Sequence, residues 1–460
     1  MAKPHAVVVP YPAQGHVLPM LELSHRLADH GIRVTFVNTD FIHDRVMKSI
    51  SDSDSDSGPD VRRAVRMVSV PDGVERPEDR GDLGKLTEGI FRAMPAGLEA
   101  LIERSDQVGE RVTCVIADGQ FGWAFDVAAK FGIKKVSFGL ASAAARVSLL
   151  SIPRFISDGI IDSEDGTILK RQMVQLGPGT PPLHSTNFIW ASVGDRPTQK
   201  IIYDMLRKIP DSDKNADRLY CNSSYNLEPG TFSEHPDTTP IGPLLATSRL
   251  ARSSGHFWPE DRACVAWLDR QPANSVVYVA FGSFAVLDPK QFRELALGLE
   301  LTGRPFLWVV RQDVMAHTEG EGESFRERVE ERGNMVVRWA PQQEVLSHPS
   351  VGCFVSHCGW NSTVEGIVCG GVPFLCWPYF ADQFLNESYI CDEWRIGLRL
   401  RKDESGIVGC GEIKEKLERV LGDEGFKKRA LDLKGKTLDS VERGNSRENF
   451  NDFIEWIKEG

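Results

Sequence analysis

The sequence predicts an α/β protein of two Rossmann-like, doubly wound domains that face each other across a cleft. Short apolar, β-branched runs alternate along the chain with amphipathic stretches of helical period, as in parallel sheets joined by crossover helices. Several of these runs stop at His, Asp or Gly-Ser just before a helix opens, the place where open α/β sheets bind ligands. Between the two halves, Pro240 to Pro259 loses periodicity and collects Gly242-Pro243, Thr247-Ser248 and Ser253-Ser254-Gly255, so it reads as a linker. The expected division is a first domain at 1–240, a linker at 241–259, a second domain at 260–440 and a terminal helix at 441–460.

In the first half, His5 to Pro10 reads as the opening strand, followed by Tyr11-Pro12-Ala13-Gln14-Gly15-His16 and a helical pattern from Val17 to His30. Ile32 to Val37, Val65 to Val70, Val112 to Ala117 and Leu219 to Asn222 follow as strands. Ser51 to Gly58 alternates Ser and Asp and is expected to be a solvated insert. His16 follows the first strand, and Asp118 ends the run from Val112. A lone His there would be a turn or cap residue. Two ionisable groups on one sheet rim can do more, because an imidazole can take a proton from a hydroxyl while a carboxylate orients its tautomer.

The second half repeats the pattern. Val276 to Phe281 is a strand leading into Gly282-Ser283, and Phe306 to Val310 and Met335 to Arg338 are strands too. Trp339-Ala340-Pro341-Gln342 then starts a short helix with Pro in its first turn, where the indole offers a flat face for a base and Gln342 a hydrogen bond for a ribose. Val351 to Ser356 is a buried strand that stops at His357-Cys358-Gly359-Trp360 before a helix opens at Asn361-Ser362. Free N–H groups and the helix dipole at such a place bind phosphate, and His357, Asn361 and Ser362 add donors. Ser362-Thr363-Val364-Glu365 also fits a capping box, which would account for Ser362 and Glu365 with no ligand. Val372 to Cys376 is a further strand, and Ser446 to Lys458 carries Phe450, Phe453, Ile454 and Ile457 at helical spacing.

Composition narrows the function classes. A chain of 460 residues, 41% hydrophobic and 26% charged, is long enough for two ordinary cores. Its net charge of −11 and lack of a dense basic stripe argue against nucleic acid or an anionic membrane as the main partner. No apolar stretch reaches about 18 residues and the chain runs at once into a strand, so a cytoplasmic protein without stable membrane insertion is expected. The nine cysteines, odd in number and scattered through apolar runs as Cys114, Cys221, Cys264 and Cys376 are, suit a reducing compartment. Cys353, His357, Cys358, Cys369 and Cys376 lie close in sequence but show no C-x-x-C, so no metal site is expected. Gly435-Lys436-Thr437 has the tail of a P-loop without its first Gly or a preceding strand, and reads as helix surface.

Residues Trp339 to Gln383 resemble the signature box of plant UDP-dependent glycosyltransferases of small molecules, a family of GT-B fold. The match runs through Trp339, Pro341, Gln342, Leu346, His348, Gly352, Phe354, His357, Gly359, Trp360, Asn361, Ser362, Glu365, Gly371, Val372, Pro373, Pro378, Asp382 and Gln383. The box is one residue longer than the family's, the extra residue falling near Cys369-Gly370-Gly371. The resemblance implies that Trp339 stacks on uracil, with Ala340 beside it in the donor-binding set. It further implies that Gln342 and Glu365 hold the ribose, that His357, Asn361, Ser362 and Ser283 hold the diphosphate, and that Trp360, Asp382 and Gln383 hold the sugar. His16 would be the general base, backed by Asp118. Gly139-Leu140 stands where many members carry Trp-Thr, so the sugar contact of that Thr is weakened, taken over by Ser142 or absent.

The resemblance thus implies an inverting transferase that works as a monomer with UDP-glucose as donor substrate, no permanently bound cofactor and no metal. Its acceptor would be a hydroxyl of a small hydrophobic plant metabolite such as a phenolic, flavonoid or terpenoid. Phe121-Gly122-Trp123, Ala141 to Arg146 and Phe188-Ile189-Trp190 are the expected lining of the acceptor pocket, and the terminal helix would pack back on the first domain. Two other classes remain to be weighed. A non-catalytic nucleotide-sugar binder would keep the box and lose the base, and a nucleotide-dependent oxidoreductase would need the G-x-G-x-x-G that is missing after the first strand.

Overall fold

The computed structural model describes residues 3–52, 65–245, 260–311, 321–331 and 334–459. Most of the expected linker, 246–259, lies outside the described residues, as does 53–58 of the Ser-Asp stretch. Ser51 and Asp52, expected in a loop, instead end the helix Asp40–Asp52. The chain divides into two units, Met1–Phe257 with Phe380–Asp382 and Asp439–Gly460, and Trp258–Tyr379 with Gln383–Leu438.

The first unit is built on strands β1 (His5–Val9), β2 (Arg33–Thr39), β3 (Val65–Val70), β4 (Cys114–Asp118) and β5 (Lys134–Gly139). After a small antiparallel pair, β6 (Met173–Val174) and β7 (Leu183–His184), come β8 (Arg218–Cys221) and β9 (Thr238–Pro240). The main sheet is parallel with order β3-β2-β1-β4-β5-β8-β9. Helices cover both faces, so the central strands β1 and β4 are buried along their whole length. Along β1, Ala6 and Val8 face one core with Ile116 and Phe138, while Val7 and Val9 face another with Val115, Ile90 and Leu98. Burying each such valine contributes about 1.5–3 kcal/mol. The helix Asn445–Lys458 supplies Phe450, Phe453, Ile454 and Ile457 to the Ala6 and Val8 face, with Phe453 against Tyr220 at 4.3 Å between ring centroids.

The second unit holds β10 (Val276–Ala280), β11 (Phe306–Val309), β12 (Met335–Val337), β13 (Val351–Ser356), β14 (Phe374–Cys376) and β15 (Gly397–Arg399) in the parallel order β12-β11-β10-β13-β14-β15. In each sheet the chain winds outward in one direction and then the other from a central pair, β1/β4 and β10/β13. Crevices for ligands open at the carboxyl ends of such pairs. Among the described residues no helix is long and apolar enough to cross a membrane. The Gly435-Lys436-Thr437 segment lies within the helix Glu424–Glu442, with Thr437 fully buried where the sequence suggested surface.

Candidate active site

At the β1/β4 switch point, the helix Gln14–Asp29 opens directly after β1 and places His16 in its first turn. The register Val9 to Ala117 carries Asp118 to the same rim. His16 Nδ1 lies 2.6 Å from Asp118 Oδ2, their side chains being 27% and 3% exposed. The carboxylate can only accept, so the proton rests on Nδ1 and Nε2 is left as the basic atom. Asp118 is itself fixed by N–H groups: Tyr11 N donates to Oδ2 at 3.3 Å and Gln120 N to Oδ1 at 3.1 Å. Burial alone would lower the His16 pKa, but the Asp118 charge and hydrogen bond overcome it, with Asp382 adding, and the net direction is upward from 6.5.

The second switch point gathers polar groups at the ends of β10, β12 and β13. Glycine is required at Gly282, whose φ is +69° and where a Cβ would lie 2.8 Å from His357 Nε2; at Gly359 the corresponding distance is 2.6 Å. The His357 ring is thus held between two bare backbone turns. Burial, reinforced by the Arg311 cation, pushes its pKa down to about 4, so it is a neutral donor or acceptor near pH 7. Arg311, which follows β11, donates from Nη1 to Gly282 O at 2.8 Å and lines a pocket with Phe281, Gly282, Leu287 and Trp308. Ser283 is half-buried in the same turn. Cys358, directly after His357, holds a left-handed φ of 64°, a strained conformation for a non-glycine residue that clusters at functional sites. Asn386 Nδ2 donates to its carbonyl at 2.9 Å and keeps the turn in place.

The helix after this turn is Trp360–Glu365, and its N-cap is Gly359. The capping-box reading of Ser362 and Glu365 is therefore wrong, since Ser362 lies inside the helix and makes no cap bond. Glu365 is gripped instead by the neighbouring helix Gln342–Ser347: Gln342 Nε2 donates to Oε2 at 2.6 Å and Gln343 Nε2 to Oε1 at 2.9 Å. Gln342 Nε2 also reaches Ser362 Oγ at 2.9 Å, and Tyr278 OH donates to Gln342 Oε1 at 3.2 Å. Pro341 is the N-cap of that helix and not its first residue. Trp339 is half-buried and Ala340 buried just before it. Trp339, Ala340, Gln342, His357, Asn361, Ser362, Glu365 and Ser283 all lie at this end of the second sheet, while the Trp360 ring is 3% exposed and packs toward Trp394.

The helix does not end at Glu365 but widens into a π turn over Gly366–Gly370 and closes on Gly371 with a φ of 53°. A π turn contains one residue more than an α turn, so the helix end has room for the extra residue near Gly370. Gly370 has no room for a side chain, because a Cβ would come within 2.0 Å of Leu346 O.

The last pair is divided. Asp382 groups with the first unit and Gln383 with the second, where it opens the helix Gln383–Ser388. Gln383 Oε1 accepts the Tyr379 N–H at 2.8 Å, so its oxygen serves the loop. Ala381 has a left-handed φ of 58° and donates its N–H to Ser192 Oγ at 2.9 Å. Leu140 is core, and Ser142 is a buried N-cap that accepts from Ala145 N, so Ser142 is occupied by its own helix. Tyr278, Gln343 and Arg311 escaped the sequence reading. Arg311 carried a signal, a charge directly after an apolar run at a strand's carboxyl end; Tyr278 looked like any strand aromatic.

Two doubly wound units, one with a His–Asp pair and one with a phosphate-type turn at its switch point, define an enzyme of the nucleotide-sugar glycosyltransferase class. The sequence model described as "UDP-glucoronosyl and UDP-glucosyl transferase" matches residues 258–440, and "Glycosyltransferase, N-terminal domain" matches 4–154. UDP-glycosyltransferase 83A1 of Arabidopsis thaliana is 46% identical over 100% of this chain and 97% of its own length. A UDP-glucosyltransferase from Polygonum tinctorium capable of glucosylating indoxyl, solved with 3,4-dichloroaniline, superposes with a TM-score of 0.82 at 28% identity over 100% of both chains. Os79 from O. sativa in complex with UDP superposes with a TM-score of 0.81 at 26% identity, covering 98% of this chain and 100% of that one. The chain belongs to the plant UDP-glycosyltransferase family, has its GT-B fold, and transfers a glycosyl group from a UDP-sugar to small molecules.

Proposed function

We propose that the enzyme transfers glucose from UDP-glucose, with inversion, to a hydroxyl of a small hydrophobic plant metabolite of the phenolic, flavonoid or terpenoid kind. The observation that carries this reading is the 2.6 Å bond from His16 Nδ1 to Asp118 Oδ2. It leaves Nε2 free of the proton and therefore able to accept one. The acceptor O–H gives its proton to Nε2 as the oxygen attacks the anomeric carbon, and the bond from that carbon to the phosphate oxygen breaks with its electron pair leaving on UDP. One displacement inverts the centre, and the imidazolium, held by Asp118, returns its proton to water.

In this reading Trp339 and Ala340 carry the uracil, and Gln342 and Glu365 the ribose. Ser283, His357, Asn361 and Ser362 bind the diphosphate at the start of the helix Trp360–Glu365, where N–H groups stabilise the charge growing on UDP. Trp360, with its ring buried, acts through its main chain, and Asp382 and Gln383 meet the glucose hydroxyls. No metal is required, and a cytoplasmic monomer completes the proposal. The glucosylation of indoxyl by the Polygonum tinctorium relative supports both the sugar and the acceptor class.

The test is His16→Ala, assayed with UDP-glucose and a panel of flavonoids, simple phenols and terpenoids read by mass. Transfer should fall by about 10²–10⁴. UDP affinity by calorimetry should stay near that of the parent, because the base and the donor groups belong to different units. Turnover within a few-fold of the parent would reject His16 as the base.

A further inference from the structure

The far end of the donor helix is held by two cations. From the helix Glu424–Glu442, Lys434 Nζ donates to Cys369 O at 2.5 Å and Lys427 Nζ to Gly370 O at 3.3 Å. Those carbonyls close the π turn. The last carbonyls of any helix lack partners within it, and the negative end of its dipole attracts cations. Here the closure is also wider than usual: Val372 N–H returns to Gly366 O at 3.0 Å and Gly371 N–H to Ile367 O at 2.9 Å, each bond spanning one residue more than in a Schellman closure. The two lysines lie about two turns apart on one face of Glu424–Glu442, and Lys427 is half-buried, burial and the neighbouring Lys434 charge both lowering its pKa.

Packing leaves the turn little freedom. A Cβ on Gly371 would meet Leu431 Cδ2 at 2.9 Å and Ala430 O at 3.3 Å, while Gly370 is pressed on Leu346 O. The helix end is therefore wedged between Glu424–Glu442 and Gln342–Ser347, the helix whose glutamines grip Glu365. If the wide turn relaxed to ordinary α spacing, the surplus residue would have to go elsewhere. Either the helix would turn by about 100°, carrying Ser362 and Glu365 away from Gln342, or β14 would slip by one residue and reverse its faces.

We infer that Lys427 and Lys434 are positioning residues for the UDP-sugar, holding the π turn closed so that Ser362 and Glu365 remain aligned on Gln342 at the nucleotide. This rests on the donor-site assignment above. Neither lysine touches the nucleotide; both act through the helix.

The full-length variants Lys427→Met, Lys434→Met, their double, and the Lys427→Arg/Lys434→Arg pair are compared by calorimetry with UDP and by steady-state kinetics with UDP-glucose. The double Met variant should bind UDP about tenfold more weakly, the scale of losing charge-assisted hydrogen bonds at one remove. KM for UDP-glucose should rise by the same factor with KM for the acceptor unmoved, and the Arg pair should restore both. Glu365→Ala is run beside them. If it weakens UDP binding while the double Met variant lowers only thermal stability, the lysine inference is overturned and the donor site stands. If neither weakens UDP binding, the donor-site assignment itself fails. Should the double variant not fold, the single variants decide, each expected to lose about threefold in UDP affinity, and unchanged affinity in both overturns the inference.

Discussion

His16 must be neutral to take a proton, yet Asp118, and behind it Asp382, favour its charged form. Transfer should therefore rise with pH through a midpoint above 6.5. Asp118→Asn should move that midpoint down and slow the reaction at its plateau, as read from kcat/KM profiles; an unmoved midpoint would remove Asp118 from the mechanism. Asp382→Ala should do two things at once. It should cut transfer from UDP-glucose by about tenfold or more, since a charge-assisted bond to a hydroxyl is worth about 1.5–3 kcal/mol, and lower the same midpoint while UDP affinity holds. Glu387 offers a test of opposite kind, because burial, opposed only in part by Arg399, raises its carboxyl to about 7. A carboxyl raised in the folded state stabilises the fold at pH values below its unfolded pKa, and that contribution is lost as pH rises through about 7. Glu387→Gln should accordingly melt higher than the parent at pH 8 and show no such advantage at pH 5, and equal melting shifts at both would reject the burial argument. Asp118 was legible from sequence because it ends an apolar run, and His16 because it opens the helix that follows the first strand; Glu365 was legible as important but ambiguous in cause, since i to i+3 spacing cannot reveal the glutamines of another helix.

The helix Asn445–Lys458 ties the end of the chain to its beginning through Phe453, which is fully buried among residues of the first sheet. Phe453→Ala should destabilise the protein by about 3–5 kcal/mol in denaturant titration. A loss below about 1 kcal/mol would mean that the helix is dispensable for that core. Its apolar spacing made this helix readable, as the β-branched runs made β1, β3 and β10 readable to within a residue or so at each end. Other elements left little trace. β9 and β15 are three residues each, too short for a period-two signal, and β6 and β7 are shorter still. The π turn had a different reason to stay hidden: the sequence showed a surplus residue, but whether a surplus widens a helix or lengthens a loop is decided by the strands that fix its two ends.

Across the whole molecule, each unit has its own sheet, core and switch point, and of the groups proposed for the UDP-sugar only Asp382, proposed for the sugar, groups with the first unit. UDP present at about a hundred times its Kd should stabilise the folded protein by about 2.7 kcal/mol. The same thermal shift should persist in His16→Ala and in the presence of EDTA, which should also leave turnover unchanged. Loss of the shift on chelation would show that an ion takes part in holding the diphosphate. Two parallel sheets and the strand ends that carry the site could be read from the sequence, but their strand order, and with it the switch points, could not; nor could the grouping of Phe380–Asp382 with the first unit, because it depends on contacts such as Ala381 to Ser192 between residues far apart in sequence. The two histidines at the switch points, finally, answer to different proton concentrations, one above 6.5 and one about 4. On the proposed roles, mild acid would leave the donor site able to fill while the base stays protonated, so a bound sugar would wait for the pH to rise before it is passed on.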